Sequence, residues 1–89
     1  MTNNTELKNL QKIPGIGKAL SKDFWNIGIK NISDLKWKDP EELYFQMCIY
    51  QGFQVDRCVL YVCRSSVYFA ENTNHNPEKL KWWNWKDKN

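Results

Sequence analysis

Residues 13–20 read IPGIGKAL, a proline and two glycines set between two segments with helical periodicity. Gly15 and Gly17 suit two different purposes: a bend through positive φ, or close approach of a ligand such as a phosphate to backbone amides without a neighbouring Cβ. Lys18 follows at once and would add a positive charge beside those amides. The stretch therefore predicts either a simple connector between helices or an anion-binding turn.

Helical periodicity surrounds this turn on both sides. Upstream, apolar residues recur three apart, and Thr5 is placed to cap a short amphipathic helix. Downstream, the apolar residues recur until Gly28, where a glycine can close a helix. The apolar positions are Leu7, Leu10 and Ile13 before the turn, and Leu20, Phe24 and Ile27 after it.

Further helices are predicted along the rest of the chain. NISDLK indicates a short connecting helix at about 32–37, and Asp39-Pro40 is an N-cap followed by proline, which predicts a helix running to Gly52. A longer helix extends from about Val55 or Asp56 to about Glu71, and Asn76-Pro77 begins a last short helix, PEKLKWW. The inward positions are predicted to be Leu43, Met47 and Tyr50 in the first of these helices, and Val55, Val59, Val62, Ser66 and Phe69 in the second.

These patterns predict an all-α domain of five or six helices. The run VLYVCRSSVYF is rich in β-branched and aromatic residues, but its apolar period is nearer 3.6 than 2, which favours a helix over a strand. A chain of 89 residues suits one domain with a single modest core.

The composition argues against several classes of protein. Three cysteines without a CxxC pair predict neither a disulfide framework nor a zinc site, and we expect reduced thiols buried separately among apolar residues. The N-terminal residues are polar, and no apolar run approaches the ~20 residues of a membrane span. We therefore expect a soluble, cytoplasmic protein with no metal, no cofactor and no membrane contact.

Positive charge is concentrated in two parts of the chain. Residues 1–38 hold seven Lys and three acids, residues 39–76 hold two Arg and five acids, and residues 77–89 hold four Lys and two acids. Three of the lysines, Lys12, Lys18 and Lys22, fall on the entry to the glycine turn, its exit and the next helical turn. This distribution favours an anionic partner at the turn.

The stretch LQKIPGIGKALSKDF resembles the helix-hairpin-helix motif. Leu10, Ile13, Gly15, Ile16 and Gly17 occupy the motif's apolar and glycine positions, and Ser21 stands at its small-residue position, where alanine is commoner. The resemblance implies sequence-independent binding of a DNA backbone phosphate. Applied to this sequence, the resemblance implies that the phosphate is bound by the amides of Gly15, Ile16 and Gly17 and by the side chains of Lys18, Lys12 and Lys22. It also implies that the carbonyls of Gln11, Ile13 and Ile16 could hold a monovalent cation.

The resemblance extends over nearly the whole chain. The runs DPEELY, VDRCVLYVCR, SVYFA and KLKWWNWKD are similar to the small bacterial helix-hairpin-helix proteins of the "pathogenicity locus" family, which also carry a mitomycin-resistance-related label. It implies tandem units at about 5–28 and 40–71, joined at about 32–37, with a Trp-rich helix and tail at 77–89. The second turn, YQGF, has one glycine and Gln51 in place of the other, so we expect it to be degenerate and structural.

Other residues admit more than one interpretation. Arg57 and Arg64 share a face of the long helix with two tyrosines, so they could form a secondary binding surface together with Trp83 or pair with nearby acids. In WWNW, Trp82 and Trp85 are expected to dock in the core and leave Trp83 partly exposed, although a stacking platform for single-stranded nucleic acid is the alternative.

We expect a binding protein and not an enzyme. His75 is the single His, lies in a polar loop where we expect it to face solvent, and has no nucleophile at a recognisable spacing. A thiol activated by a neighbouring Arg at Cys58 is conceivable, but no base or oxyanion group accompanies it. The expected function is weak DNA binding without sequence preference, and the alternative is a protein-interaction or self-association module on the same fold.

Overall fold

The computed structural model describes residues 8–87, and every regular element in this range is helical. After helical residues 8–10 and the glycine turn come three α-helices, α1 (Lys18–Asn26), α2 (Pro40–Gln51) and α3 (Arg57–Glu71). Short 3₁₀ helices occupy Ile32–Leu35, Pro77–Leu80 and Trp82–Trp85. The all-α prediction is confirmed for this range, whereas the predicted cap Thr5 and apolar Leu7 lie outside it.

The longer helices begin and end where their capping residues predict. Asp39 and Asp56 accept hydrogen bonds from first-turn amides of α2 and α3, each at 2.9 Å, which satisfies donors that have no partner within the helix. Gly52 closes α2 in the left-handed conformation, with φ +80°. Gly28 follows α1 with φ +94°, and its amide donates to the carbonyl of Trp25 at 3.0 Å.

The shortest predicted helices are 3₁₀ and not α. The connecting helix expected at about 32–37 is the four-residue turn Ile32–Leu35, and Asn31 caps it by accepting from the Asp34 amide at 3.1 Å. The expected helix PEKLKWW is two 3₁₀ turns separated by Lys81, whose backbone is extended. Segments this short form too few i to i−4 bonds to sustain an α-helix, and the 3₁₀ form is the usual result.

One hydrophobic core draws on every part of the described chain. A radius of gyration of 12.2 Å matches the ~12 Å of a compact domain of this length. No helix in residues 8–87 is both long and apolar enough to cross a bilayer. The core consists of Leu10, Ile13, Ile16, Phe24, Ile29, Leu35, Leu43, Met47, Val62, Cys63, Val67 and Ala70, with Leu60 also buried.

Helix α3 lies at the centre and buries a wider face than predicted. Val62 and Ser66 of the predicted stripe are buried, but its other members are only partly so. The fully buried residues extend to the side of the helix that carries Leu60, Cys63, Val67 and Ala70. The reason is that α2, the first 3₁₀ turn and the C-terminal turns all pack on α3. A single narrow stripe of apolar residues is not wide enough to contact all of these elements.

Candidate functional site

The glycine turn is fixed to the core by its isoleucines. Ile13 and Ile16 are buried, and the Ile16 amide donates to the Ile13 carbonyl at 3.1 Å. Between them, Gly15 has φ +92°, a conformation that favours glycine. The apolar residues of the motif thus point inward, while Pro14 and both glycines are exposed.

Gly15 lies against a tryptophan from the other end of the chain. A Cβ built on Gly15 would be 3.0 Å from Cδ1 of Trp82, closer than side chains normally approach. The fold therefore favours glycine here for two reasons, its positive φ and the indole beside it. Nothing in the sequence between positions 15 and 82 predicts this contact.

Gly17 has the opposite surroundings. It is the N-cap of α1 with an extended backbone, and it offers no side chain to cap the helix. Among residues 8–87, nothing lies within 4 Å of where a Cβ would be. The first amide of α1 to bond back is that of Ser21, which donates to the Gly17 carbonyl at 3.0 Å. The preceding amides, those of Lys18, Ala19 and Leu20, donate to no acceptor in residues 8–87. These free donors stand at the positive end of the helix dipole.

The three predicted lysines are exposed. Lys12, Lys18 and Lys22 are all accessible to solvent, and none forms an ion pair within the described part of the chain. Among the predicted phosphate-binding amides, that of Ile16 already donates to the Ile13 carbonyl. The open donors beside the glycine turn are therefore the first amides of α1, with Lys18 and Lys22 on the same helix.

A polar link holds the two sides of the turn together. Ser21 is fully buried, donates to the Lys18 carbonyl at 2.8 Å and accepts from the Gln11 side-chain amide at 3.1 Å. A serine at the small position is thus compatible with close packing and also bonds across the hairpin. Of the carbonyls predicted to hold a cation, that of Ile13 already accepts the amide of Ile16.

The predicted secondary surface is an ion-pair network. Arg57 Nε lies 2.6 Å from an oxygen of Asp87, and Arg64 lies 2.7 Å from Glu41 and 2.9 Å from Asp87. Hydrogen bonds from Arg57 first, and then from Arg64, lower the pKa of Asp87 to about 2. Both arginines are therefore occupied in tying the C-terminal segment and α2 to α3.

Trp82 and Trp83 lie as predicted, whereas Trp85 does not. Trp82 packs against the core, Trp83 is 49% exposed with its ring edge-to-face on Trp82, and Trp85 is half-buried. The Trp85 indole donates to the Lys79 carbonyl at 2.7 Å. Trp85 lies outside the core cluster, so Trp82 alone is a core anchor.

The outer face of α2 carries exposed apolar side chains that the sequence analysis did not identify. Phe45 and Ile49 are 57% and 58% exposed, and Tyr50, which was predicted to point inward, is 60% exposed. Phe53 continues the patch beyond the end of the helix. The available signal was the spacing of four between Phe45 and Ile49, which lie opposite the inward Leu43 and Met47.

The thiols differ from one another in their surroundings. Cys63 is buried, and desolvation raises its pKa to about 12, whereas Cys58 is exposed, contrary to the prediction of apolar burial. Cys58 is the second residue of α3, and hydrogen bonding with the Asp56 carboxylate is the main cause that raises its pKa. A raised pKa keeps this thiol protonated at neutral pH, the reverse of activation by Arg57. No cluster of three or more potential metal ligands occurs in residues 8–87.

His75 is partly buried and not solvent-facing as predicted. Its ring stacks on Phe69 with 4.3 Å between centroids, and Nε2 lies 2.9 Å from the Phe69 carbonyl oxygen. This contact satisfies one of the carbonyls left open at the end of α3. His75 therefore acts in this structure as a helix-end residue.

Comparison with known proteins is consistent with the resemblance noted above. A sequence model of the pathogenicity locus family matches residues 3–89. The chain belongs to the pathogenicity locus family. It is also similar to the mitomycin resistance protein McrB of Streptomyces lavendulae, with 32% identity over 77 residues that cover 86% of this chain and 70% of that protein. No solved structure gives a significant match.

Proposed function

We propose that this member of the pathogenicity locus family binds duplex DNA weakly and without sequence preference, and that it holds a backbone phosphate at the N-terminus of α1. The observation that carries the proposal is the helix end at Gly17, where three amides have no acceptor in residues 8–87 and no described atom lies within 4 Å of a Cβ built on Gly17. A phosphate oxygen can accept from such amides at the positive end of the helix dipole.

The surrounding charges support the same function. Lys12, Lys18 and Lys22 are free to displace counterions from phosphates, and contacts of this kind carry no sequence information. If all three contribute, the logarithm of the affinity should fall with the logarithm of the salt concentration with a slope of about −2 to −3.

The proposal includes a tandem helix-hairpin-helix architecture. In this interpretation the helical residues 8–10, the glycine turn and α1 form the first unit, and α2, the turn at Gly52 and α3 form the second. The second turn exposes Tyr50 and Phe53 and has no lysine within it, so the first unit alone holds phosphate. The name of the Streptomyces relative states a resistance and no molecular partner, so the proposal rests on the turn.

Lys18→Glu tests the proposed site. It places a carboxylate beside the free amides without altering the glycines, so binding to every duplex sequence should weaken by about tenfold or more and the salt slope should fall by about 1. The matched control is Lys30→Glu, which makes the same charge change beyond the other end of α1, a helix about 14 Å long for nine residues at 1.5 Å each. Fluorescence anisotropy with a labelled duplex at two salt concentrations measures both.

Two results would contradict this proposal. Equal loss of affinity in Lys18→Glu and Lys30→Glu would mean that only net charge matters. Absence of salt-dependent binding by the parent protein would mean that the turn is a connector between helices.

A second candidate is self-association through the outer face of α2. Phe45, Ile49, Tyr50 and Phe53 are each more than half exposed, and at about 200 Å² per large side chain they present roughly 400–500 Å² of apolar surface. A typical protein interface buries about 800 Å² per partner, of which close to 60% is apolar, so its apolar area is similar to that of this patch. The occupant that this area fits is a second copy of the chain, packed helix against helix.

Solution mass tests the second candidate. Light scattering at increasing concentration should show a dimer that Ile49→Glu dissociates, whereas Trp83→Glu, an equivalent change outside the α2 face, should leave it intact. A parent that stays monomeric at millimolar concentration would overturn self-association.

A further inference from the structure

An open cleft lies between α3 and the C-terminal 3₁₀ turns. Its volume is about 650 Å³, within the range of sites that bind small molecules. The two 3₁₀ turns form one side, α3 forms the other, and Pro40 at the start of α2 lies at its edge. The lining residues are Pro40, Arg64, Val67, Tyr68, Glu71, Lys79, Asn84, Trp85 and Lys86.

Two aromatic rings in this cleft are held in position by polar contacts at their edges. Tyr68 and Trp85 are half-buried, with 5.7 Å between ring centroids and planes inclined at 44°. The Tyr68 hydroxyl accepts from the Asn76 amide at 2.8 Å, and the Trp85 indole donates to the Lys79 carbonyl. Arg64 also donates to the Trp85 carbonyl at 2.8 Å. Rings fixed in this way provide a planar ligand with contact area at little cost in side-chain entropy.

The charges of the cleft favour an anion. Arg64 is paired with Glu41 and Asp87, whereas Lys79 and Lys86 are exposed and form no ion pair in residues 8–87. The Lys79 ammonium lies 5.5 Å from the centre of the Tyr68 ring, at the aromatic wall. The opposing charge is Glu71, whose carboxylate accepts from the amide of Trp37 at 3.0 Å.

We infer that this cleft binds a nucleotide, with the base against Trp85 and Tyr68 and the phosphate held by Lys79 and Lys86. The base could come from a free nucleotide or from an unpaired stretch of DNA. Stacking on aromatic rings with lysines on the backbone is how proteins hold single strands without reading sequence.

The position of the cleft connects it to the glycine turn. Trp82 lies beside Gly15, and Trp85 is the last residue of the same 3₁₀ helix, about 6 Å further along at 2 Å per residue. A DNA molecule held at the turn could therefore place an unpaired base in the cleft. For a base from DNA, the inference rests on the proposed function, whereas binding of a free nucleotide does not.

NMR spectra of the ¹⁵N-labelled protein provide the test, because the chain has five tryptophans and each gives one indole signal. The signals are assigned with single Trp→Phe variants. The probes are deoxyadenosine monophosphate, ribose 5-phosphate and a four-residue oligothymidylate. We expect the nucleotide and the oligonucleotide to shift the Trp85 signal and the sugar phosphate to leave it unchanged, since it has no base to stack.

A double variant, Lys79→Gln with Lys86→Gln, should weaken nucleotide binding by about tenfold, as expected for the loss of two exposed charge contacts. The matched control is Lys81→Gln, which is in the same segment but pairs with Glu78 at 3.3 Å and does not line the cleft. Undiminished binding by the double variant, or no Trp85 shift with nucleotide at 10 mM, would overturn the inference.

Duplex binding measured in parallel separates this inference from the proposed function. A Trp85 shift with the mononucleotide in a protein that does not bind duplex supports a free-nucleotide site and rejects the DNA proposal. Duplex binding that is sensitive to Lys18→Glu, without any Trp85 shift, supports the proposed function and rejects only the nucleotide site in the cleft. If both tests succeed and Lys18→Glu weakens the oligonucleotide too, a single DNA molecule occupies both sites.

Discussion

Gly15 has φ +92° and faces Trp82, whereas Gly17 has an extended backbone and faces solvent. The motif treats the two positions alike, but their physical requirements differ. At Gly15 a side chain is disfavoured by both the backbone conformation and the nearby indole, and at Gly17 by neither within the described part of the chain. The open space at Gly17 suits an external ligand, and a ligand is the role we propose for this position.

Substitution of Gly15 should be more costly than substitution of Gly52. Both have positive φ, so alanine at either position carries a backbone penalty of about 1–2 kcal/mol, but only Gly15→Ala also places a methyl group against Trp82. We expect the free energy of unfolding to fall by about 1 kcal/mol more in Gly15→Ala than in Gly52→Ala. Urea denaturation measures the difference, and equal losses would mean that Trp82 moves aside freely.

Gly17→Asp should change stability and binding in opposite directions. The backbone already has the conformation of an N-cap, so the new carboxylate can accept from the free amides and stabilise α1 by about 0.5–1 kcal/mol. The same carboxylate fills the proposed phosphate site and repels the ligand. We expect a higher melting temperature together with loss of duplex binding.

The combination distinguishes a specific site from general damage to the protein. Calorimetry measures the melting temperature and fluorescence anisotropy measures duplex binding, both on the same preparation of the variant. If Gly17→Asp binds duplex as well as the parent, the helix end does not hold the phosphate.

At the scale of elements, the caps were predictable and the packing was not. Asp39, Asp56 and Gly52 act on their own helices, so local sequence specifies where α2 begins and ends and where α3 begins. The buried side of α3 depends on which elements surround it, and periodicity reveals one stripe where the structure buries a wide face. Asp87 illustrates the same limit, because its two arginine partners are more than twenty residues away.

Asp87 should make the attachment of the C-terminal segment sensitive to acid. Its pKa in the folded protein is about 2, below its ordinary value of 3.8, so its contribution to stability is complete above about pH 4 and is lost as the pH falls towards 2. Asp56, whose pKa is also lowered, loses its contribution in the same direction. We expect the melting temperature of the parent to fall more between pH 4 and pH 2 than that of Asp87→Asn.

The control for this comparison is Glu78→Gln, which removes a carboxylate whose side-chain partners among residues 8–87, Lys81 and Asn84, are both in the C-terminal segment. Its acid profile should follow that of the parent more closely than Asp87→Asn does. Identical profiles for the parent and Asp87→Asn would show that the network with Arg57 and Arg64 does not stabilise the fold.

At the scale of the whole molecule, the glycine turn is supported by residues far away in the sequence. Gly17, Lys18 and Lys22 are close in sequence, so the motif was enough to predict that they lie at or within the helix that follows the turn. Trp82 and the cleft beside Trp85 depend on how the C-terminal turns fold back over α3. No local pattern encodes that return, and the sequence left the tryptophans as either core or surface.

The described chain should unfold as one unit. Trp82 from the tail and Leu10 from the first helix belong to the same core, so loss of either end should disrupt it. We expect urea transitions followed by far-ultraviolet circular dichroism, which reports the helices, and by tryptophan fluorescence to coincide. A fluorescence transition at lower urea would show that the C-terminal turns detach first.

The contact between Gly15 and Trp82 also constrains the order in which the molecule can be completed during synthesis. A ribosome makes the glycine turn before it makes Trp82. Until Trp82 has been added, the turn therefore lacks the aromatic surface against which it rests in the folded protein. Native closure of the first motif has to wait for the C-terminal 3₁₀ turns, so a chain terminated before Trp82 would contain the proposed phosphate site without its support.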